Sequence, residues 1–321
     1  LTNENSPSPS TGEGRGEGDI IEKYIIRKVL LDHPPPNPLP SMEGGKENQN
    51  MNSLGPYLLI KKIATGGMAD IYLAEGEGNK FVVKKLRKEF VHDQSFIHLL
   101  RSEVETLQKL CHPNILQAYK FISEGENHYA VLEYIEGKSL REILDEADEK
   151  KSPLPLPMIL SITSQMAQAL DALHHHHILH SDLNPRNVLI RKDGVVKLID
   201  FSIAQTAENK LGATAGVGQG VIAYMSPEQA NSEAIDSRSD IFSLGVLLHE
   251  MLTGEIPFAG KNRFEVYANL MHQEITLKTL PPSLDFKLKE ILTHALAKKP
   301  EDRFQNMKEF EKALILYSQQ K

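Results

Sequence analysis

Apolar and polar positions alternate over short runs in the first part of the chain. YLLIKKI (57–63), DIYLAEG (70–76), KFVVKKL (80–86) and HYAVLEYI (128–135) read as strands, because successive side chains of a strand face opposite sides of a sheet. One stretch among them, Ser95 to Leu110, repeats its apolar residues at helical spacing instead. Residues 54–134 therefore predict a small, mostly β lobe. Beyond Tyr134 long helical patterns take over, including MILSITSQMAQALDALHHHH and SRSDIFSLGVLLHEMLTG, and predict a larger α-helical lobe over 135–317. DEADEKKSPLPLP is charged and then broken by prolines, which suggests a surface connection between helices. The fold class that follows is α+β with two lobes.

Residues 1–53 break the pattern. SPSPSTGEGRGEGD and HPPPNPLPSMEGGKENQN are rich in Pro, Gly, Ser and charge, too polar to offset the entropy of ordering, and predict a disordered tail. Between them IIEKYIIRKVLL stacks Ile21, Ile25 and Val29 at helical spacing, a weakly ordered segment when it has no partner. The two tracts resemble the translation of inverted-repeat DNA and position 1 is leucine, so the natural start is left open.

Composition removes several classes of function. Hydrophobic residues make up 40% of 321, enough for a sizeable core. Lys and Arg number 36 against 43 Asp and Glu, a net charge of -7, which gives no basic footprint for nucleic acid. Cys111 is the one cysteine, so an internal disulfide framework and a cysteine zinc cluster are excluded and a reducing compartment is indicated. No apolar run approaches the ~20 residues of a membrane span and no signal-peptide core is present. A cytoplasmic protein is expected.

Three stretches carry candidate chemistry. IATGGMADIYLA lies between two strand-like runs, where a tight turn brings backbone N–H groups towards phosphates and Gly66 and Gly67 permit the approach. Lys84 in FVVKKL points opposite to Lys85 by alternation. Glu103 in the following helical stretch can pair with it, with Glu105 the second choice. The strongest signal is ILHSDLNPRNVLI followed by VVKLIDFSIA: Asp182 stands before Asn187, and Asp200 follows further on. Asn187 and Asp200 offer hard oxygen ligands for Mg²⁺, while Asp182 can orient an attacking hydroxyl. Each alone could be a turn residue, but together they specify phosphoryl transfer.

With these motifs in this order the chain resembles the protein-kinase family, most closely the bacterial serine/threonine kinases. The resemblance continues through AYMSPEQA, SDIFSLGVLLHEMLTGEIPF and KKPEDRF. It implies a two-lobed protein-kinase-like fold, ATP and Mg²⁺ as cofactors, and protein substrates bearing Ser or Thr. It further implies a nucleotide pocket lined by Ile63, Ile71, Val82 and Leu189, with Leu132 as gatekeeper and the backbone of Glu133 and Ile135 at the hinge. Glu228 should pair with Arg303, Asp240 should brace the catalytic loop, and Leu107, His180 and Phe201 should stack as an internal spine. His174 to His177 fall where the family's helix runs into that loop, which explains them without a metal.

The departures are specific. Ala64 and Ala69 replace glycines of the phosphate loop and should stiffen it. Ser181 stands where the family has arginine. Asn184 occupies the catalytic position of the lysine that neutralises the transferring phosphate, and Val221 replaces the threonine that bonds that lysine. Ser202 replaces the glycine of the metal-binding motif, which restricts loop switching. Slow catalysis is expected. Two other readings are a pseudokinase that binds ATP and recruits partners, and, since HSDLNPRN also resembles aminoglycoside phosphotransferases, a small-molecule kinase.

With no arginine at 181 to grip a phosphorylated activation loop, loop phosphorylation is predicted not to be the on-switch. The double substitution Thr206→Ala/Thr214→Ala should leave turnover in a radiolabelled ATP assay nearly unchanged; a collapse would refute the idea.

Overall fold

The computed structural model describes residues 53–200 and 222–320. The predicted tail, Phe201, Ser202, Thr206, Thr214 and Val221 lie outside them. The described chain opens with a six-stranded antiparallel sheet of order β1-β2-β3-β4-β6-β5. Its strands are β1 (Ser53–Leu54), β2 (Tyr57–Thr65), β3 (Ala69–Gly76), β4 (Asn79–Leu86), β5 (Ala118–Glu124) and β6 (Asn127–Glu133). Helix α1 (Gln94–Lys109) is inserted after β4, starting where Asp93 accepts a hydrogen bond from Ser95 N. Ser53, assigned from sequence to the tail, pairs with Leu58. Strand β5 escapes the sequence pattern because a register shift between Ala118 and Lys120 breaks its alternation.

Alternation in β4 sorts its side chains between two cores. Val82 and Leu86 join the main hydrophobic cluster, which runs on into the second lobe. Val83 faces the other way, into a smaller cluster with Leu54, Ala74, Ile122, Tyr129 and Val131. Lys84 shares the face of Val82, so the strand aims its ammonium between the lobes.

The second lobe is helical around a three-stranded sheet of β7 (Gly137–Ser139), β8 (Val188–Arg191) and β9 (Val196–Leu198). Its helices are α2 (Leu140–Glu149), α3 (Leu156–His175), α4 (Pro227–Ala230), α5 (Ser237–Thr253), α6 (Arg263–His272), α7 (Phe286–Ala295) and α8 (Met307–Ser318). Here the sequence reading needs a correction: Asp145 to Glu149 are not part of the connection but of α2. A capping box between Ser139 and Glu142 starts this helix, and Arg141–Asp145 and Lys150–Glu146 pairs support its charged end.

Helix α5 is the axis of the lobe, buried continuously from Ser239 to Met251. A helix buried on every side belongs inside a core, and its buried polar residues, Asp240 and Glu250 among them, carry partners. Gly254 ends it at φ 77°, a left-handed cap that L residues resist. The predicted Glu228–Arg303 pair locks α4 to the chain before α8. Arg303 is 1% exposed, and its Nη1 and Nη2 donate to Glu228 Oε1 and Oε2 at 2.7 and 2.8 Å. Its remaining N–H groups meet the carbonyls of Ala297, Arg238 and Lys298, so every donor of the guanidinium is used.

Removing one member of such a pair leaves a buried charge alone. Arg303→Met is expected to lose about 3–5 kcal/mol in urea unfolding, with part of that restored in Arg303→Met/Glu228→Gln. A loss below about 1 kcal/mol would show the pair to be dispensable.

Candidate active site

The predicted lysine pair is present. Lys84 Nζ donates to Glu103 Oε1 at 2.7 Å and to Oε2 at 2.9 Å, and Asp200 Oδ1 lies 3.6 Å away. Glu105, the alternative, is exposed on the other side of α1. Burial alone would lower the Lys84 ammonium, but the carboxylates of Glu103 and Asp200 outweigh it and hold the pKa above the ordinary lysine value.

The hairpin between β2 and β3 closes tightly, with Gly66 N donating to Ala69 O at 2.8 Å. A Cβ at Gly66 would sit 3.1 Å from that carbonyl, whereas one at Gly67 would meet nothing, so only the first glycine is required by contact. Arg87, which the sequence reading passed over, reaches back to this loop: its backbone N bonds Met68 O at 3.0 Å. Its Nη1 lies 3.4 and 3.3 Å from the carbonyls of Gly66 and Gly67. Ile63, Val82, Leu132, Ile135 and Leu189 belong to one buried cluster with Ile71 packed against it.

Glu133 at the hinge is held from two sides. Its Oε2 accepts from Gln117 N at 3.1 Å and from Lys197 Nζ at 2.8 Å. Lys197, on β9, also reaches Ile115 O at 3.3 Å. Asn114 joins the same strand: Leu198 N donates to Asn114 O at 2.8 Å, and Asn114 Nδ2 donates to Val196 O at 2.8 Å. This link between hinge and β9 was missed, because the alternation that sets Lys197 between Val196 and Leu198 suggests a solvated strand charge.

The second carboxylate centre is built on the loop between α3 and β8. Asp240 in α5 accepts from His180 N at 2.9 Å and Ser181 N at 3.0 Å, the bracing the resemblance implied. His174 Nε2 meets the same carboxylate at 2.7 Å, which gives the first of the four histidines a structural duty. Burial opposes the charge on Asp240, but the His174 contact and the backbone N–H groups hold its pKa below the ordinary value. Ser181 takes φ 60° and Asp200 φ 52°, left-handed backbone that is uncommon for non-glycine residues.

Asp182 is gripped by two amides. Asn187 Nδ2 donates to its Oδ2 at 2.9 Å and its backbone O at 2.8 Å. Asn184 Nδ2 donates to Oδ1 and O, both at 3.1 Å. Asn184 is therefore neutral and turned back on its neighbour rather than extended. Leu107 and His180 are both buried; the third member of the expected spine, Phe201, is outside the described residues.

The fold has two lobes, with a Lys–Glu pair on one and two carboxylates and an asparagine on the other. The protein kinase domain model matches residues 57–314, and the chain belongs to the protein kinase family. It is 34% identical over 88% of its length to the tyrosine-protein kinase MasK of Myxococcus xanthus and 33% identical over 80% to the serine/threonine-protein kinase PrkC of Bacillus subtilis. It spans 46% and 40% of those two proteins. The crystal structure of the Mycobacterium tuberculosis PknI kinase domain superposes with a TM-score of 0.63 at 24% identity, over 84% of this chain and 99% of that one, a likeness of fold.

The family implies ATP, a divalent metal and protein substrates. The donor set fits a hard cation: the amide nitrogen of Asn187 is used on Asp182, its amide oxygen and the Asp200 carboxylate are oxygen donors, and Ile199 N, one residue before Asp200, donates to Asn187 O at 3.0 Å. Among the described residues no helix is long and apolar enough to cross a membrane.

Burial raises the Asp182 pKa above the ordinary aspartate value, while the amides of Asn187 and Asn184 pull it down. In a carboxyl-labelled sample followed by NMR, Asp182 should titrate above the usual ~3.9. Asn184→Ala removes a donor to the charged form and should move the titration higher; movement to lower pH would contradict this balance.

Proposed function

We propose that the chain transfers the γ-phosphoryl group of ATP, with Mg²⁺, to serine or threonine hydroxyls of proteins. The observation that carries the reading is the closed Lys84–Glu103 pair with Asp200 within 3.6 Å. This arrangement keeps the lysine extended towards phosphates. Asn187 and Asp200 would hold Mg²⁺, which when bound would neutralise charge on the phosphate oxygens. Ile63, Ile71, Val82, Leu132 and Leu189 enclose the base, with the Glu133 and Ile135 backbone at its edge. Gly66 and Gly67 let backbone N–H groups approach the phosphates.

Asp182 orients the acceptor hydroxyl and takes its proton as the new O–P bond forms. The bond from γ-phosphorus to the bridging oxygen breaks, and ADP leaves with the electron pair. Asn184 and Asn187 fix the carboxylate for this role. Cytoplasmic residence belongs to the same reading, since the reaction draws on ATP and Cys111 is a free thiol. The named relatives are protein kinases, which supports peptide acceptors over small molecules. The intact lysine pair supports an enzyme over a scaffold.

Tyrosine as an additional acceptor is favoured by one observation: MasK, 34% identical over 88% of the chain, is named a tyrosine-protein kinase.

Incubation with radiolabelled Mg·ATP and casein should label the substrate or the chain itself, and Asp182→Asn should cut the rate about 10²–10⁴-fold. Phosphoamino-acid analysis is expected to show phosphoserine or phosphothreonine, with phosphotyrosine added if the second acceptor class is used. Equal incorporation by wild type and Asp182→Asn would refute the enzyme reading.

A further inference from the structure

We propose that Arg87 is a positioning residue that turns the backbone N–H groups of Gly67 and Met68 into the cleft, where they take the phosphates of a nucleoside triphosphate. The inference rests on the kinase reading above and adds the group that sets the orientation of the phosphate loop. In a trans peptide the C=O of one residue and the N–H of the next point in opposite directions. Arg87 Nη1 lies 3.4 Å from Gly66 O and 3.3 Å from Gly67 O. One guanidinium nitrogen thus gathers two successive carbonyls. The N–H groups of Gly67 and Met68, at the far ends of those two peptides, are directed away from it.

The strand decides which side that is. Leu86 ends β4 on the inward face with Val82, and the chain stays extended through Arg87, at φ −71° and ψ 152°. Arg87 therefore falls on the outer face, with Val83. Groups directed away from an outer guanidinium face inward, on the side of Lys84. The side chain of Met68 lies on that side too, packed against the main cluster. Among the described residues the N–H groups of Gly67 and Met68 have no acceptor in the protein, whereas Gly66 N is spent on Ala69 O at 2.8 Å. Two successive N–H groups aimed at one space suit an anion.

Arg87 is itself held for this duty. Its Nη2 donates to Glu89 Oε1 at 2.8 Å, its backbone N to Met68 O at 3.0 Å, and its O accepts from Phe90 N at 2.9 Å. Asp70, at the start of β3, is engaged by Lys62 at 2.7 Å, which leaves the other arm of the guanidinium to the loop carbonyls. A cation on those carbonyls also polarises the two peptides and strengthens their N–H groups as donors. Lysine could supply the charge but not the second arm that joins Glu89 to the loop.

The test uses the full chain, with dissociation constants for Mg·AMP-PNP and for adenosine measured by calorimetry at about 0.05 and 0.5 M NaCl. Wild type, Arg87→Ala, Arg87→Lys and Glu89→Gln are compared, and their melting temperatures recorded. Arg87→Ala should weaken AMP-PNP about tenfold at both salt concentrations, the effect of misaligned hydrogen bonds, with adenosine affinity and melting temperature unchanged. Arg87→Lys should lose less, and Glu89→Gln should move AMP-PNP in the same direction by a smaller factor. Wild-type affinity for AMP-PNP in Arg87→Ala would overturn the inference and leave the kinase reading standing. A loss that high salt erases would make Arg87 a remote charge, and an equal loss for adenosine would assign it to the folding of the lobe; either result overturns the inference. A wild-type chain that binds neither ligand would overturn the kinase reading and this inference with it.

Discussion

The carboxylate of Asp240 is the constraint on which the catalytic face depends. It is buried in the first turn of α5 and takes three donors from outside that helix: His174 and the backbone N–H groups of His180 and Ser181. An unpaired carboxylate in such a position would be prohibitively costly. The loop before Asp182 is therefore drawn onto the helix, and the left-handed backbone at Ser181 is maintained by bonds on both of its sides. Ser181 N meets Asp240, and Gln229 Nε2 meets Ser181 O at 2.8 Å. Because Gln229 belongs to α4 and its neighbour Glu228 is bound to Arg303, the loop is held by the whole buried frame of the second lobe.

On that frame the site combines intact and altered parts. On the sheet lobe Lys84 and Glu103 are paired, and Arg87 adds a hold on the loop between β2 and β3, where Ala64 and Ala69 stand. One alteration lies in the catalytic turn, where Asn184 stands at the position the family fills with lysine and spends its amide on its neighbours. In the proposed reading, binding and transfer thus rest on different residues.

Much of this was legible because periodicity and spacing are local. The face of Lys84 follows from strand alternation, and the choice of Glu103 over Glu105 follows from which side of α1 packs inward. Asp182, Asn187 and Asp200 stand out by spacing alone. What escaped the sequence depended on distant partners or on breaks in the pattern. Strand β5 was hidden by its bulge, the end of α2 by its charges, and His174 by the run of identical residues around it. Lys197 and Arg87 looked like ordinary solvated cations, since their partners are separated from them by 64 and about twenty positions respectively.

The contact between Lys197 and Glu133 has a mechanical meaning. Strand β9 is three residues long, and Asp200 follows two residues after it. Glu133 and Asp200 are thus joined through one short rod, with the Asn114 bonds as its fulcrum. A rod of three residues has little length over which to bend, so the strand that carries Glu133 and the carboxylate of Asp200 are positioned as one piece.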